Sequence, residues 1–86
     1  MKILILGSGL MGPAAAYNVM IDPAVTKVTI ADRSQAQLDS CLAILRDKPG
    51  ADKISFTQLN LNNLEATANL MAGFDAIVAA LPNPVN

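Results

Sequence analysis

The chain opens with an aliphatic run that leads directly into a cluster of glycines. Residues 3–6 read ILIL, and glycines follow at positions 7, 9 and 12, with proline at 13. An uninterrupted run of Ile and Leu is typical of a parallel strand that is covered on both faces. Proline is tolerated in the first turn of a helix, where its missing N–H would have no intrahelical partner. The opening therefore predicts a buried strand, a tight glycine turn and a helix.

The same alternation continues along the chain. Strands are predicted at residues 3–6, 27–31, 53–59 and 75–80, and helices near residues 10–21, after Ser34, and at 64–71. Successive strands joined by helices form right-handed parallel crossovers. We therefore predict a Rossmann-type α/β fold, βαβαβαβ, with an open parallel sheet in the strand order 3-2-1-4 and helices on both faces.

Local signals predict where the helices begin and end. Asp22-Pro23 should end the first helix, and Lys48-Pro49-Gly50 the second. Ser34 with Gln37, and Asn62 with Glu65, have the spacing of N-terminal capping pairs, and Gly73 is the expected C-cap of the third helix.

Apolar spacing predicts which helix positions face the core. The first helix should make its contacts through Ala14, Ala15, Val19 and Met20. The second has an apolar stripe at i, i+3, i+4 and i+7, formed by Leu38, Cys41, Leu42 and Leu45. Cys41 is thus expected to be a core residue rather than a nucleophile.

Composition excludes several classes of function. The 86 residues allow one small domain, and its core must be aliphatic because only 3% of the residues are aromatic. With six basic and seven acidic residues and no basic run, a nucleic-acid partner is not expected. One cysteine and no histidine leave no disulfide, zinc cluster or His-based catalysis within this chain. No stretch resembles a signal peptide or a membrane span, so a cytoplasmic protein is expected.

The glycine cluster is a GxGxxG motif, and its position between a predicted strand and a predicted helix favours nucleotide binding over a plain turn. Gly7 would form the tight turn, Gly9 would let a pyrophosphate approach the backbone, and Gly12 would let the helix pack close to the strand. Leu10 and Met11 would offer backbone N–H donors at the positive end of the helix. Asp32 ends the second strand twenty positions beyond Gly12, the spacing of a dinucleotide-binding fingerprint.

The residues after the second strand bear on which dinucleotide binds. A carboxylate at Asp32 would accept hydrogen bonds from the adenosine ribose hydroxyls and repel a 2′-phosphate, which favours NAD over NADP. Arg33 could stack on adenine or pair with a 2′-phosphate, so NADP stays open. The alternatives are a solvated turn aspartate at 32 and a solvated loop cation at 33.

Three segments together resemble a known family. KILILGSGLMGPAAAYNVM, VTKVTIADRS and DAIVAALPNPVN are similar to the N-terminal cofactor domain of the saccharopine dehydrogenase family, including its lysine 6-dehydrogenase-like members. The resemblance spans essentially the whole chain. It implies an NAD(P)-dependent oxidoreductase that transfers hydride at the C–N bond of an amino acid.

The resemblance also implies positions for the cofactor. The pyrophosphate would lie on the glycine loop, the adenosine ribose beside the end of the second strand, adenine after the third strand, and the remaining ribose side after the fourth. In that order the residues are Gly7, Ser8, Gly9, Leu10, Met11 and Gly12; Asp32 and Arg33; Asn60 and Leu61; and Ala80, Leu81 and Pro82. Asn60 stands where related domains commonly have Asp. No residue of this chain is identified as catalytic.

Family members continue into the rest of the sheet and a separate catalytic and dimerisation domain. The fourth strand, IVAA, is apolar on both faces and would be an unprotected sheet edge. The chain is therefore expected to be the N-terminal part of a longer protein, or to pair its edge with a second copy as a homodimer. A stand-alone NAD(H)-binding or sensing module without catalysis is the alternative function, and flavin binding is not excluded by the motif.

Overall fold

The computed structural model describes residues 1–7, 11–60 and 62–79, without the side chain of Met11. Strands and helices alternate along the chain as the sequence predicts. The elements are β1 Lys2–Leu6, α1 Met11–Met20, β2 Lys27–Asp32, α2 Gln35–Leu45, a 3-10 turn Ala51–Lys53, β3 Ile54–Gln58, α3 Leu64–Met71 and β4 Ala76–Ala79.

The four strands form one parallel sheet in the order β3-β2-β1-β4. Leu6 lies opposite Ala31 and Ala79, and Asp32 lies opposite Gln58, so all four strands end at the same edge of the sheet. The order reverses beside β1, because β2 lies on one side of it and β4 on the other. The predicted fold class and strand order are confirmed.

One face of the sheet carries the main core. Ile3, Ile5, Val28 and Ile30 point to this face and pack with buried residues of α1 and α2. From the helices the cluster receives Ala16, Met20, Leu38, Cys41 and Leu45. Every one of these side chains is small or aliphatic apart from the thiol, as the near absence of aromatic residues requires.

The other face is covered more thinly. Leu4, Ala31 and Thr29 alternate with the core residues along β1 and β2 and are also buried. The β3–β4 connection contains α3, and a right-handed crossover in this strand order places it on this face. None of its residues is fully buried. At the edge of the sheet Ile77 remains 39% exposed.

The first helix contacts the core through three of the four predicted residues, Ala15, Val19 and Met20, and additionally through Ala16. Ala16 and Met20 are fully buried, Ala15 and Val19 are half-buried, and Ala14 is exposed. The prediction for Ala14 is wrong because the buried row follows the i, i+4 spacing of Ala16 and Met20. The helix ends just before Asp22-Pro23, as predicted.

The second helix starts as predicted and ends early. Ser34 is its N-cap, and the Ser34 side chain accepts a hydrogen bond of 3.2 Å from the Gln37 backbone N–H. Leu38, Cys41 and Leu45 are buried, whereas Leu42 is 45% exposed and lies outside the core stripe. The helix stops at Leu45, three residues before the predicted stop signal.

The ends of the third helix correct two predictions. Its N-cap is Asn63, whose side chain accepts from the Ala66 N–H at 3.1 Å, whereas the Asn62 N–H donates to the Asn60 side chain. A cap must reach a donor three residues onward, and in α3 that donor belongs to Ala66. The C-cap is Ala72, in a right-handed conformation, so no left-handed glycine is needed at position 73.

The end of the first helix contacts the turn before β3. The Lys53 ammonium group donates to the carbonyl oxygens of Met20 at 3.0 Å and Asp22 at 3.2 Å. Gly50 has a φ of 90° and comes so close that a Cβ there would lie 2.7 Å from the Met20 carbonyl oxygen. Only glycine fits this contact without strain.

Candidate functional site

Gly7 follows β1 directly at the sheet edge where all the strands end. Its φ is 96°, in the left-handed region, so glycine is required for the turn that the sequence predicts. The Gly7 N–H donates to the carbonyl oxygen of Ala31 at 2.7 Å, which extends the β1–β2 ladder by one residue. This bond sets the start of the glycine loop beside Asp32.

The first helix begins at this edge, and the start of a helix attracts anions. Met11 is its first residue, and its first turn contains no acidic side chain that would compete with an anion. Gly12 and Pro13 are both buried, which agrees with close packing of the helix start. Unpaired N–H groups and the helix dipole make such an end attractive to phosphate.

Several predicted site residues lie outside the described part of the structure. Ser8, Gly9 and Leu10, the middle of the glycine loop, are among them. So are Leu61 after the third strand and Ala80, Leu81 and Pro82 after the fourth. Their roles stay predictions.

Asp32 is the last residue of β2 and is half-buried. One carboxylate oxygen accepts a hydrogen bond from the Ser34 N–H at 3.0 Å, and the Asp32 carbonyl oxygen accepts from the Leu59 N–H at 2.9 Å. These bonds fix both the backbone and the side chain of Asp32 at the end of the strand. A carboxylate held in this way needs little reordering to receive a hydroxyl donor.

Arg33 is exposed directly beyond this carboxylate. Its carbonyl oxygen accepts a hydrogen bond of 3.0 Å from the side-chain amide of Gln58, the last residue of β3. Sequence reasoning missed Gln58, because an isolated glutamine at a strand end has no recognisable motif. Its pairing opposite Asp32 in the sheet is the signal that reveals it.

Asn60 lies just beyond β3 and is exposed. Its side-chain oxygen accepts from the Asn62 N–H at 3.0 Å, and its carbonyl oxygen accepts from the Asn63 N–H at 2.9 Å. The asparagine thus shapes the turn into α3. Its predicted contact with adenine is not tested by these bonds.

Apart from Asp32, the carboxylates are exposed, and the Cys41 thiol is buried in the core. Asp39, Asp47, Asp52 and Glu65 are exposed, as expected of solvated carboxylates. Burial, reinforced by the charge of Asp32, raises the pKa of the Cys41 thiol to about 11. The thiol is thus protonated at neutral pH and unsuited to nucleophilic attack, which confirms it as a core residue. Among the residues that the structure describes, no group of three His, Cys, Asp or Glu could hold a metal ion.

The geometry fits a dinucleotide. Ligands of open α/β sheets bind at the point where the strand order reverses. Around that point lie the left-handed glycine at the end of β1, the start of α1 and the half-buried carboxylate at the end of β2. These groups can bind and orient a sugar phosphate. In the described part of the chain, no helix is long and apolar enough to cross a membrane.

Comparison with known proteins agrees with this geometry. The family model described as "Saccharopine dehydrogenase NADP binding domain" matches residues 3–86. A solved structure of apo saccharopine dehydrogenase (L-Glu forming) from Saccharomyces cerevisiae has a similar fold, with a TM-score of 0.69 and 22% sequence identity. The match covers 94% of this chain and 16% of the yeast chain.

The matched region contains every element of the sheet and all the predicted site residues. A match over residues 3–86 is far more specific than the glycine motif, which many nucleotide-binding proteins share. It supports a nicotinamide dinucleotide as the ligand of this domain. The chain belongs to the family of saccharopine dehydrogenase NADP-binding domains.

Proposed function

We propose that the chain is the cofactor-binding part of an NAD(P)-dependent oxidoreductase that acts on the CH–NH group of an amino acid. The observation that carries the proposal is the position of Asp32 beside the Gly7 turn, linked by the bond from the Gly7 N–H to the Ala31 carbonyl oxygen. The nicotinamide of the bound cofactor would supply or accept the hydride. The chain itself would bind and orient the dinucleotide.

The two ends of the proposed site have separate tasks. At the start of α1, backbone N–H groups would hold the pyrophosphate, and Pro13 removes no donor that the helix itself could use. At the end of β2, the Asp32 carboxylate would accept hydrogen bonds from the ribose hydroxyls. Its bonds to Ser34 and Leu59 keep it in place for that contact.

The choice between NAD and NADP depends on two neighbouring residues of opposite charge. The Asp32 carboxylate favours NAD, because it repels the 2′-phosphate of NADP. Arg33, exposed beside it, can pair with that phosphate, and the family is described by NADP binding. We propose that the domain binds NAD more tightly and that Arg33 allows weaker binding of NADP.

The amino-acid substrate and the catalytic residues would lie outside this chain. The chain corresponds to 16% of the yeast saccharopine dehydrogenase it matches. We propose that it is the N-terminal dinucleotide-binding domain of a longer dehydrogenase. A parent reading frame that stops at Asn86 would contradict this part of the proposal and favour a stand-alone NAD(H)-binding module.

Titration of the folded chain with NADH, followed by cofactor fluorescence, tests the binding function. We expect saturable but weak binding, because under this proposal residues outside the chain would hold the nicotinamide half. NADPH should bind more weakly than NADH. A folded sample that shows no saturable binding at millimolar concentrations of either cofactor would contradict the proposal.

The same titration on Asp32→Ser tests the ribose contact. Losing hydrogen bonds to a carboxylate should weaken NADH binding by about tenfold, whereas NADPH, no longer repelled, should bind at least as well as before. Asp39→Ser is the matched control, because Asp39 is an exposed carboxylate on α2 that bonds only to its helix neighbour Gln35 among the contacts described. An unchanged ratio of NADH to NADPH affinity in Asp32→Ser would show that Asp32 does not contact the ribose.

A further inference from the structure

Gln58 makes a contact that the sheet does not require. It is the last residue of β3 and is exposed, yet its side-chain amide donates to the Arg33 carbonyl oxygen at 3.0 Å. The backbone ladder between the two strands is already completed by the Leu59 N–H, which donates to the Asp32 carbonyl oxygen. The glutamine therefore holds the turn that follows β2, rather than the strand.

The three residues of this turn are held in different ways. Asp32 is fixed by the backbone N–H groups of Leu59 and Ser34. Ser34 is fixed as the N-cap of α2. The peptide carbonyl of Arg33 is held by the side chain of Gln58. A substitution at Gln58 thus loosens Arg33 while the bonds that hold Asp32 stay in place.

We propose that Gln58 is a positioning residue for cofactor selectivity, which acts through Arg33 on the 2′-phosphate of NADPH. The inference rests on the proposed function. Beside the Asp32 carboxylate a 2′-phosphate needs a close, well-directed cation to offset repulsion. Arg33 has a long, exposed side chain, and fixing its peptide group reduces the number of directions the guanidinium can take. Gln58 therefore supports NADPH binding more than NADH binding.

Binding of NADPH and NADH to Gln58→Leu is the test. Leucine keeps the bulk of the side chain and removes its donor. We expect NADPH affinity to fall by about fivefold, the effect of one lost hydrogen bond, and NADH affinity to change by less than about twofold. Gln58→Thr, which favours a strand but is too short to reach the carbonyl, should behave in the same way. Asn69→Ala, which removes an exposed amide from α3, should leave both affinities unchanged.

A double-mutant cycle separates positioning from a general structural effect. If Gln58 acts through Arg33, then Gln58→Leu should have no further effect on NADPH binding once Arg33 is replaced by alanine. A purely structural role would reduce NADPH and NADH binding together in both backgrounds. That result would contradict the inference.

The outcomes distinguish this inference from the proposed function. Failure of the unaltered chain to bind either cofactor overturns the proposed function. Binding of both cofactors with an affinity ratio that Gln58→Leu leaves unchanged overturns only the role of Gln58. Binding of NADH without detectable NADPH binding also overturns it, because there would be no 2′-phosphate contact for Gln58 to support.

Discussion

At the scale of single residues, the sequence predicts residues that belong to a known motif, but it does not predict residues whose role depends on a tertiary contact. Gly7 and Asp32 carry recognisable chemistry at a recognisable spacing, and the structure brings them together at one sheet edge. Gln58 has neither, and its contact with Arg33 depends on two strands that pair across 25 residues of sequence. Gly50 is similar, since its close approach to Met20 is visible only in the folded chain.

Replacing Gly50 with alanine should destabilise the fold. The new Cβ would lie 2.7 Å from the Met20 carbonyl oxygen, on a backbone with a φ of 90° that alanine avoids. We expect the free energy of unfolding to fall by about 2 kcal/mol or more in urea denaturation. Gly73→Ala is the control, because its Cβ would meet only the Leu70 carbonyl oxygen at 3.8 Å. Equal stabilities of the two variants would contradict the strained contact at Gly50.

At the scale of helices and strands, the type of each element follows from apolar spacing, but the ends depend on which donor a side chain can reach. Glu65, three positions beyond Asn62, leads the sequence pattern to predict Asn62 as the cap, one residue before the observed N-cap Asn63. In the structure the Asn62 N–H belongs to the Asn60 turn, and Asn63 accepts from Ala66. Which of two neighbouring residues becomes the N-cap thus depends on the conformation of the turn that follows β3.

Asn63→Ala should therefore destabilise the domain where Asn62→Ala does not. Loss of an N-cap typically costs about 1 kcal/mol, and the helix α3 has little buried surface to offset it. Thermal unfolding of the two variants, side by side, measures the difference. A larger loss of stability in Asn62→Ala than in Asn63→Ala would show that Asn62 is the N-cap, as the sequence pattern predicts.

At the scale of the whole molecule, one aliphatic core on the α1–α2 face stabilises the sheet. Cys41 belongs to that core, and its surroundings couple its protonation to folding. The pKa of the thiol rises from 9.0 to about 11 on folding, mainly through burial and then through the charge of Asp32. Between about pH 9 and pH 11 the Cys41 thiol is protonated in the folded state and ionised in the unfolded state. The free energy of unfolding that the buried neutral thiol contributes is therefore present below pH 9 and is lost as pH rises to about 11.

Comparison of the wild-type chain with Cys41→Ala should reveal this coupling. The free energy of unfolding of the wild type should fall between pH 8 and pH 11 relative to that of the alanine variant, whatever their difference at pH 8. Urea denaturation at each pH gives both values, and groups common to the two proteins cancel. Parallel pH profiles would show that the thiol does not titrate differently in the two states.

The order of amino acids alone predicts the alternation of strands and helices, the strand order 3-2-1-4 and the residue pair Gly7 and Asp32. The alternation and the residue pair follow from apolar periodicity and the spacing of the glycine motif, and the strand order follows from the Rossmann-type arrangement that they indicate. Tertiary packing decides the exposure of Ala14 on α1, the cap of α3, the close contact at Gly50 and the bond from Gln58 to Arg33. Each of these features depends on how the chain packs around it, and a local sequence pattern carries no information about that packing.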